Sequence, residues 1–281
     1  MDSFDLAMTQ EKLEKLKSIF ESYGSVLVAF SGGVDSTFVL KVARDVLGKK
    51  RVKAGTAKSA SLPRRELEES SQLASLVDVE HLVIETRELE KPGYAENSPD
   101  RCYFCKETLY ETLQPIAERE GFKVICNGTN LDDLGDYRPG LRAARDFSVR
   151  SPLVEAGFTK ADVRYFSRVL GLPTWEKPAM PCLSSRIPYG QEVTPGKLSQ
   201  IEQAENFLRD LGLRTVRVRH HGDVARIEVA REEMEQFFDE RFQEQVAAAL
   251  KSFGFHYIAL DLEGYRMGSF NKVANRSSAL K

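Results

Sequence analysis

The chain has 281 residues, 42% of them hydrophobic and 29% charged, with a formal net charge of −2 at pH 7. This is the composition of a globular protein, long enough to bury a core in more than one domain, and the charge gives no global electrostatic case for a nucleic-acid partner. No apolar run reaches the roughly 18 residues of a membrane span, and the acidic start Met1-Asp2-Ser3-Phe4-Asp5 lacks a signal-peptide pattern, so a cytoplasmic chain with no membrane partner is expected.

Leu13, Leu16, Ile19 and Phe20 mark an amphipathic helix. Val26–Phe30 is a short apolar run, the pattern of a buried parallel strand. Ser31-Gly32-Gly33-Val34-Asp35-Ser36 follows without a gap, and Phe38, Val39, Leu40, Val42, Ala43, Val46 and Leu47 then recur at helical spacing. A Gly-rich turn thus joins a strand end to a helix start. Such a turn directs backbone N–H groups and the positive end of the helix dipole at one spot, which favours an anion. The hydroxyls of Ser31, Ser36 and Thr37 are expected to add donors there.

A strand is expected near Val52–Thr56, and then a helix from about Pro63, capped by Ser61 with Pro63 in its first turn. A strand at Leu82–Ile84, a helix from Cys102 to Glu118 and a strand at Phe122–Cys126 continue the alternation. This order predicts an α/β fold with a doubly wound parallel sheet, whose ligands sit outside the carboxyl ends of the strands. Thr159 and Gly171 bracket a further helix, and Leu172–Tyr189, with four prolines and little periodicity, reads as a long loop. The remainder reads helix 195–211 behind a Thr194 cap, strands 214–219 and 224–229, helix 231–250 and strand 255–260. The αββαβ order predicts a smaller α+β domain, dividing the chain into 1–189 and 190–281.

The Ser31–Ser36 turn is not a Walker A loop, which is longer and ends in Lys. It resembles the S-G-G-x-D-S signature of the PP-loop ATP pyrophosphatases. Those enzymes cleave ATP between the α and β phosphates and leave AMP on a substrate oxygen, from which a nucleophile displaces it. The resemblance implies ATP use, with Ser31, Gly32, Gly33, Asp35 and Ser36 cradling pyrophosphate.

Other clusters lie at strand ends. Ala54-Gly55-Thr56-Ala57 closes the second strand, where Thr56 either contacts base or ribose or simply ends the strand. Asn127-Gly128-Thr129-Asn130 follows the strand ending at Cys126. There Gly128 and Thr129 permit close approach of a nucleotide, and Asp132 and Asp133 could bind Mg²⁺ beside phosphate oxygens; the alternative is an Asx-rich turn capping a helix. Four cysteines in a reducing compartment point to metal or redox chemistry before disulfides. Cys102 and Cys105 form a CxxC, with Cys182 far away in the Pro-rich loop. The pair could be half a zinc site, a redox pair or part of an iron–sulfur site, while Cys126 in an apolar strand is expected to be buried and inert. In the loop, Lys177 could neutralise developing phosphate charge, and Ser185 and Arg186 could bind an anionic substrate. Period two puts Arg217 and Arg219 on one strand face, either as a phosphate clamp or as ordinary exposed charges, and His220-His221 reads as a turn.

The SGGVDST loop, RCYFCK, NGTNLDD, KPAMPCLSSRIPYG, VRVRHHGDVARIEV and the closing LDLEGYRMGSFN together resemble the LarE family over nearly the whole chain. LarE proteins are ATP-dependent sulfur transferases that build the nickel-pincer nucleotide cofactor of lactate racemase. They convert carboxylates of pyridinium-3,5-biscarboxylic acid mononucleotide, a small-molecule nucleotide substrate, into thiocarboxylates. The resemblance implies catalysis by Cys182, Asp35 and Lys177, and binding of substrate phosphate or metal by Arg217, Arg219 and Glu228. In one branch a single cysteine, at the position of Cys182, gives up its sulfur. A second branch has three cysteines and a 4Fe–4S cluster, and Cys102, Cys105 and Cys182 put this chain with it. Homo-oligomers, often hexamers, are typical of the family.

Competing readings are a PP-loop tRNA thiolase, an amidating synthetase and a non-catalytic nucleotide-binding regulator. The first needs a basic RNA-binding surface. The second would not need the three cysteines. The third would bind ATP without releasing pyrophosphate.

Overall fold

The computed structural model describes residues 6–135 and 139–266. Residues 1–5, 136–138 and 267–281 lie outside the described residues, including Met1-Asp2-Ser3-Phe4-Asp5 and the Met267–Asn271 end of the closing motif. Two compact units are formed, one from the chain up to Glu88 together with Cys102–Met180, the other from Leu89–Arg101 together with the chain from Pro181 onward.

In chain order the elements up to the Pro-rich loop are α1 (Leu6–Tyr23), β1 (Val26–Ala29), α2 (Val34–Leu47), β2 (Val52–Lys58), α3 (Arg64–Leu76), β3 (Glu80–Glu85), α4 (Pro92–Ala95), α5 (Arg101–Glu120), β4 (Val124–Cys126), α6 (Pro139–Asp146), α7 (Pro152–Ala156) and α8 (Lys160–Val169). The four strands make the expected parallel sheet in the order β3-β2-β1-β4. Val26 of β1 lies opposite Val52 of β2 and Val124 of β4. The apolar run of β1 is buried at every position because it is the central strand, covered on both faces. Strand order reverses at β1, so the crevice beyond the ends of β1 and β4 is the topological switch point where such sheets bind ligands.

The apolar stripe of α2 packs beneath α8. Phe38 lies 5.4 Å from Phe158 and 6.2 Å from Phe166 between ring centroids. Burial of each ring contributes about 1.5–3 kcal/mol. Thr159 starts α8 with a full capping box, its hydroxyl and the Asp162 carboxylate each bonding the other's backbone N–H. The start of α3 differs from expectation. Pro63 itself is the N-cap residue, with extended backbone, and Ser61 is buried two positions earlier.

The second unit contains α9 (Pro195–Asp210), β5 (Val216–His221), β6 (Val224–Val229), α10 (Glu240–Ser252) and β7 (Tyr257–Leu260). Its sheet has the order β5-β6-β7, the first pair antiparallel and the second parallel across α10. Thr194 caps α9 as expected, accepting from the Lys197 N–H. The helix expected over 231–250 is broken into 3₁₀ turns at Arg231–Phe238 and then α10, because Asp239 takes up an N-cap conformation and accepts from the Phe242 N–H at 2.8 Å. His220 and His221 end β5 and do not form the turn, which Gly222 makes at φ 65°. The segment Leu89–Arg101 joins this unit through Val193 N–H to Ala95 O at 2.8 Å and Gly190 N–H to Asn97 O at 3.1 Å. Grouping by contact thus takes 89–101 and 181–189 into the second unit, where the sequence division keeps them within 1–189.

Candidate active site

The Gly-rich turn is where the strand–turn–helix pattern requires it, between β1 and α2. Gly32 has φ 68°, and a Cβ on it would come within 3.1 Å of the Ser70 side chain on α3. Both constraints select glycine. The turn is closed by its own hydroxyls. Ser31 Oγ and Ser36 Oγ are 3.1 Å apart, Gly33 N–H donates to Ser31 Oγ at 3.3 Å, and Ser36 Oγ donates to Gly33 O at 3.2 Å. Gly33 is the N-cap of α2 and provides no side-chain cap, which leaves the first-turn N–H groups without a side-chain acceptor. Such a helix start is suited to an oxyanion. Thr37 is fully buried, and its hydroxyl oxygen has no hydrogen-bond partner among the described residues.

The loop after β4 is knitted to this turn. A Cβ on Gly128 would lie 2.7 Å from the backbone nitrogen of Ser36, so the close approach made here is to the first turn of α2. Asn127 Oδ1 accepts from Thr129 N–H at 3.0 Å, holding Thr129 in an Asx turn. Asn130 Nδ2 donates to Asp35 Oδ1 at 3.0 Å, and Lys160 Nζ bonds the other oxygen of Asp35. Asp132 Oδ2 accepts from the Lys160 N–H at 2.7 Å. Two carboxylates, one lysine and one amide therefore meet beside the oxyanion site.

Thr56 is buried at the end of β2 and donates to Phe30 O at 2.8 Å, fixing the residue from which the turn departs. With its proton committed, the Thr56 hydroxyl accepts from His81 Nε2 at 2.7 Å. Burial pushes the His81 pKa down, which keeps the ring neutral with its proton on Nε2. Lys177 lies 2.8 Å from Glu66 Oε2, 2.8 Å from Glu69 Oε2 and 3.3 Å from Gly32 O. All three of its N–H donors have acceptors. To meet a phosphate, Lys177 must exchange at least one carboxylate for it.

In the second unit, Cys182 opens a 3₁₀ turn over Leu183–Arg186 and is half-buried. Arg186 is fully buried and makes a two-pronged pair with Glu205, Nε to Oε1 at 2.8 Å and Nη2 to Oε2 at 2.9 Å. Burial alone would raise the Glu205 pKa, but the charges of Arg186 and Arg209 hold it below the usual carboxylate range. The remaining guanidinium nitrogen of Arg186 bonds Pro181 O, Cys182 O and Ser185 Oγ. Arg186 thus acts as a strut beneath the Cys182 turn. Arg217 and Arg219 are both buried on β5. Burial, followed by the nearby charge of Arg186, pushes the Arg217 pKa down, and its guanidinium lies over the Tyr265 ring. Arg219 Nη2 donates to Glu228 Oε2 at 2.8 Å, and Arg226 pairs with the other oxygen at 3.2 Å. Glu228 is fully buried between these two arginines.

Cys102 and Cys105 lie one turn apart on α5, the first exposed and the second half-buried. Cys126 is fully buried, and burial pushes its thiol pKa well up, as expected of an inert core cysteine. Among the described residues no group of three or more His, Cys, Asp or Glu side chains is arranged to hold a metal ion.

No family model matches the chain. It is 46% identical over 269 residues to an uncharacterized protein of Synechocystis sp., covering 96% of this chain and 100% of that protein. It is 38% identical over 272 residues to the pyridinium-3,5-bisthiocarboxylic acid mononucleotide synthase of Lactiplantibacillus plantarum, covering 97% of this chain and 98% of that enzyme. The chain belongs to the LarE family. A more distant relative, an uncharacterized protein of Methanocaldococcus jannaschii, is 27% identical over 91% of this chain. In this LarE-family chain, His81, Lys160, Glu66, Glu69 and Glu205 were not singled out from the sequence. Each meets its partner through the fold, and no local pattern marks it. No helix among the described residues is long and apolar enough to cross a membrane.

Proposed function

We propose that this protein is an ATP-dependent sulfur transferase that converts a carboxylate of pyridinium-3,5-biscarboxylic acid mononucleotide to a thiocarboxylate, in the cytoplasm, for the nickel-pincer cofactor of lactate racemase. The near full-length kinship to the bisthiocarboxylate mononucleotide synthase carries this reading, and the uncapped start of α2 at the switch point supports it.

In this reading a substrate carboxylate oxygen attacks the α-phosphorus of ATP. The bond to the β-phosphate breaks, and pyrophosphate leaves into the cradle of Ser31, Gly32, Gly33, Asp35 and Ser36. Thr56, Gly128 and Thr129 line the nucleoside side. Asp35 and Asp132 are suited to Mg²⁺, which would neutralise phosphate charge there. Lys177 leaves one of its carboxylate partners to stabilise the leaving group. A sulfur nucleophile then attacks the acyl carbon, and AMP departs with the electron pair of the C–O bond; where that nucleophile is the Cys182 thiol, the resulting thioester releases the thiocarboxylate by loss of the Cys182 Cα proton and cleavage of its Cβ–S bond, leaving dehydroalanine. Ser185, Arg217 and Arg219 define the anionic substrate's site, with Arg186 bracing the turn that carries Ser185 and Glu228 holding Arg219 in place or ligating a metal. Residues 1–189 carry the ATP chemistry, and 190–281 carry substrate binding and homo-oligomer formation.

The sulfur chemistry centres on Cys182. We propose further that Cys102, Cys105 and Cys182 hold a 4Fe–4S cluster; the support is the donor type and the one-turn spacing of the first pair. Iron and acid-labile sulfide in anaerobically purified protein test this. About four irons per chain are expected. An absence of iron after reconstitution would leave the Cys182 thiol as the sulfur source, detectable by mass spectrometry as loss of its sulfur.

A further inference from the structure

The turn that carries Cys182 is largely buried but belongs to no sheet or α-helix, so its carbonyl groups need donor partners from elsewhere. Its own backbone supplies two bonds, Ser185 N–H to Cys182 O at 2.9 Å and Ile187 N–H to Ser184 O at 3.1 Å. Side chains supply most of the rest. Besides Arg186, Arg219 Nη1 donates to Ser185 O at 2.9 Å. The segment Leu89–Arg101 provides three more residues. Arg101 Nη1 donates to Ser184 O at 3.0 Å. Asn97 Nδ2 donates to Ile187 O at 3.1 Å and Pro188 O at 2.7 Å. The Tyr94 hydroxyl lies 2.6 Å from Ser184 Oγ.

These three residues are organised among themselves. Arg101 also bonds Asn97 Oδ1, which fixes which end of the Asn97 amide donates. Asn97 sits at φ 56°, a left-handed conformation uncommon for a residue with a side chain, and is fully buried. Tyr94 is also fully buried, and Arg101 is nearly so. None of these bonds is needed to build the three-stranded sheet. They converge on the six residues that follow Cys182.

We propose that Tyr94, Asn97 and Arg101 are positioning residues for sulfur transfer: they hold the turn after Cys182 so that its thiol points in one direction. The proposal rests on the sulfur-transfer reading of Cys182. None of the three is assigned to substrate or nucleotide, so they act through the turn. Transfer to an acyl carbon needs near-attack geometry, and a displacement of about 1 Å can cost on the order of a hundredfold in rate. Formation of the acyl-adenylate does not use the thiol.

The test compares full-length wild type with Tyr94→Phe, Asn97→Gly, Arg101→Lys and Cys182→Ala. Each is supplied with ATP, Mg²⁺ and pyridinium-3,5-biscarboxylic acid mononucleotide. Pyrophosphate release and thiocarboxylate formation are followed separately in single turnovers. Asn97→Gly keeps the left-handed backbone accessible, and Tyr94→Phe removes one hydroxyl without opening a cavity, so both guard against a trivial loss of fold. The expected result is thiocarboxylate formation slowed about tenfold or more in Asn97→Gly and Arg101→Lys, with pyrophosphate release close to wild type. In iron-free protein, where the Cys182 thiol is free, its alkylation by iodoacetamide, read by peptide mass spectrometry, should also change rate. Equal slowing of both steps, or unchanged thiocarboxylate formation, overturns the positioning role. If Cys182→Ala still makes thiocarboxylate, the sulfur-transfer reading itself fails. If Cys182→Ala loses it while the other variants keep it, only the positioning role fails.

Discussion

Gly128 has no room for even one more carbon. A methyl there would press on the backbone of Asp35 and Ser36 at 2.7–3.0 Å. Gly128→Ala should displace the first turn of α2 and cost about 1–3 kcal/mol of stability, with weaker ATP binding in nucleotide titrations. The carboxylate of Asp35, a member of the proposed cradle, is held by Asn130 and Lys160. Asp35→Asn should suppress pyrophosphate release while the protein still melts cooperatively. Release at the wild-type rate would remove Asp35 from the mechanism. The Arg186–Glu205 pair is fully buried, so Glu205→Gln leaves an uncompensated charge and should cost about 3–5 kcal/mol in denaturant unfolding. The same pair sets an acid limit. The folded pKa of Glu205 is depressed, so its contribution is complete above the unfolded carboxyl pKa of about 4.3 and is lost as pH falls through the folded value. A pH series of melting temperatures should show wild type losing more stability on acidification than Glu205→Gln.

Helix starts were legible where a side chain caps locally. Thr159 and Thr194 announce α8 and α9, and both accept the expected backbone N–H. Thr194→Ala should lower stability by about 1 kcal/mol, measured by the denaturation midpoint. The break at Asp239 escaped notice because the residues on either side of it keep apolar positions at helical spacing, and only the conformation of Asp239 decides. The strand–turn–helix of β1 and α2 was readable because all its determinants lie within a dozen residues. The ion pair of Lys160 with Asp35 spans 125 positions, and the hydrogen bond of His81 to Thr56 joins different strands, so neither leaves a periodic trace. The grip of Asn97 and Arg101 on the Cys182 turn is hidden for the same reason. Arg186 was legible as a residue of consequence, but its pairing with Glu205 on α9 was not.

At the scale of the whole molecule, the parallel-sheet unit bears the turn suited to phosphate, and the second unit bears the arginines and the fixed Cys182 turn. Kinship to the bisthiocarboxylate mononucleotide synthase extends over both, as it must if nucleotide activation and sulfur delivery are successive steps of one reaction. The most direct test supplies anaerobically purified protein with ATP, Mg²⁺ and pyridinium-3,5-biscarboxylic acid mononucleotide and examines the mononucleotide by mass spectrometry. Replacement of a carboxylate oxygen by sulfur, with AMP and pyrophosphate as co-products, is the predicted result. An unmodified mononucleotide while ATP is split to AMP and pyrophosphate, or conversion that persists in Cys182→Ala, would contradict it.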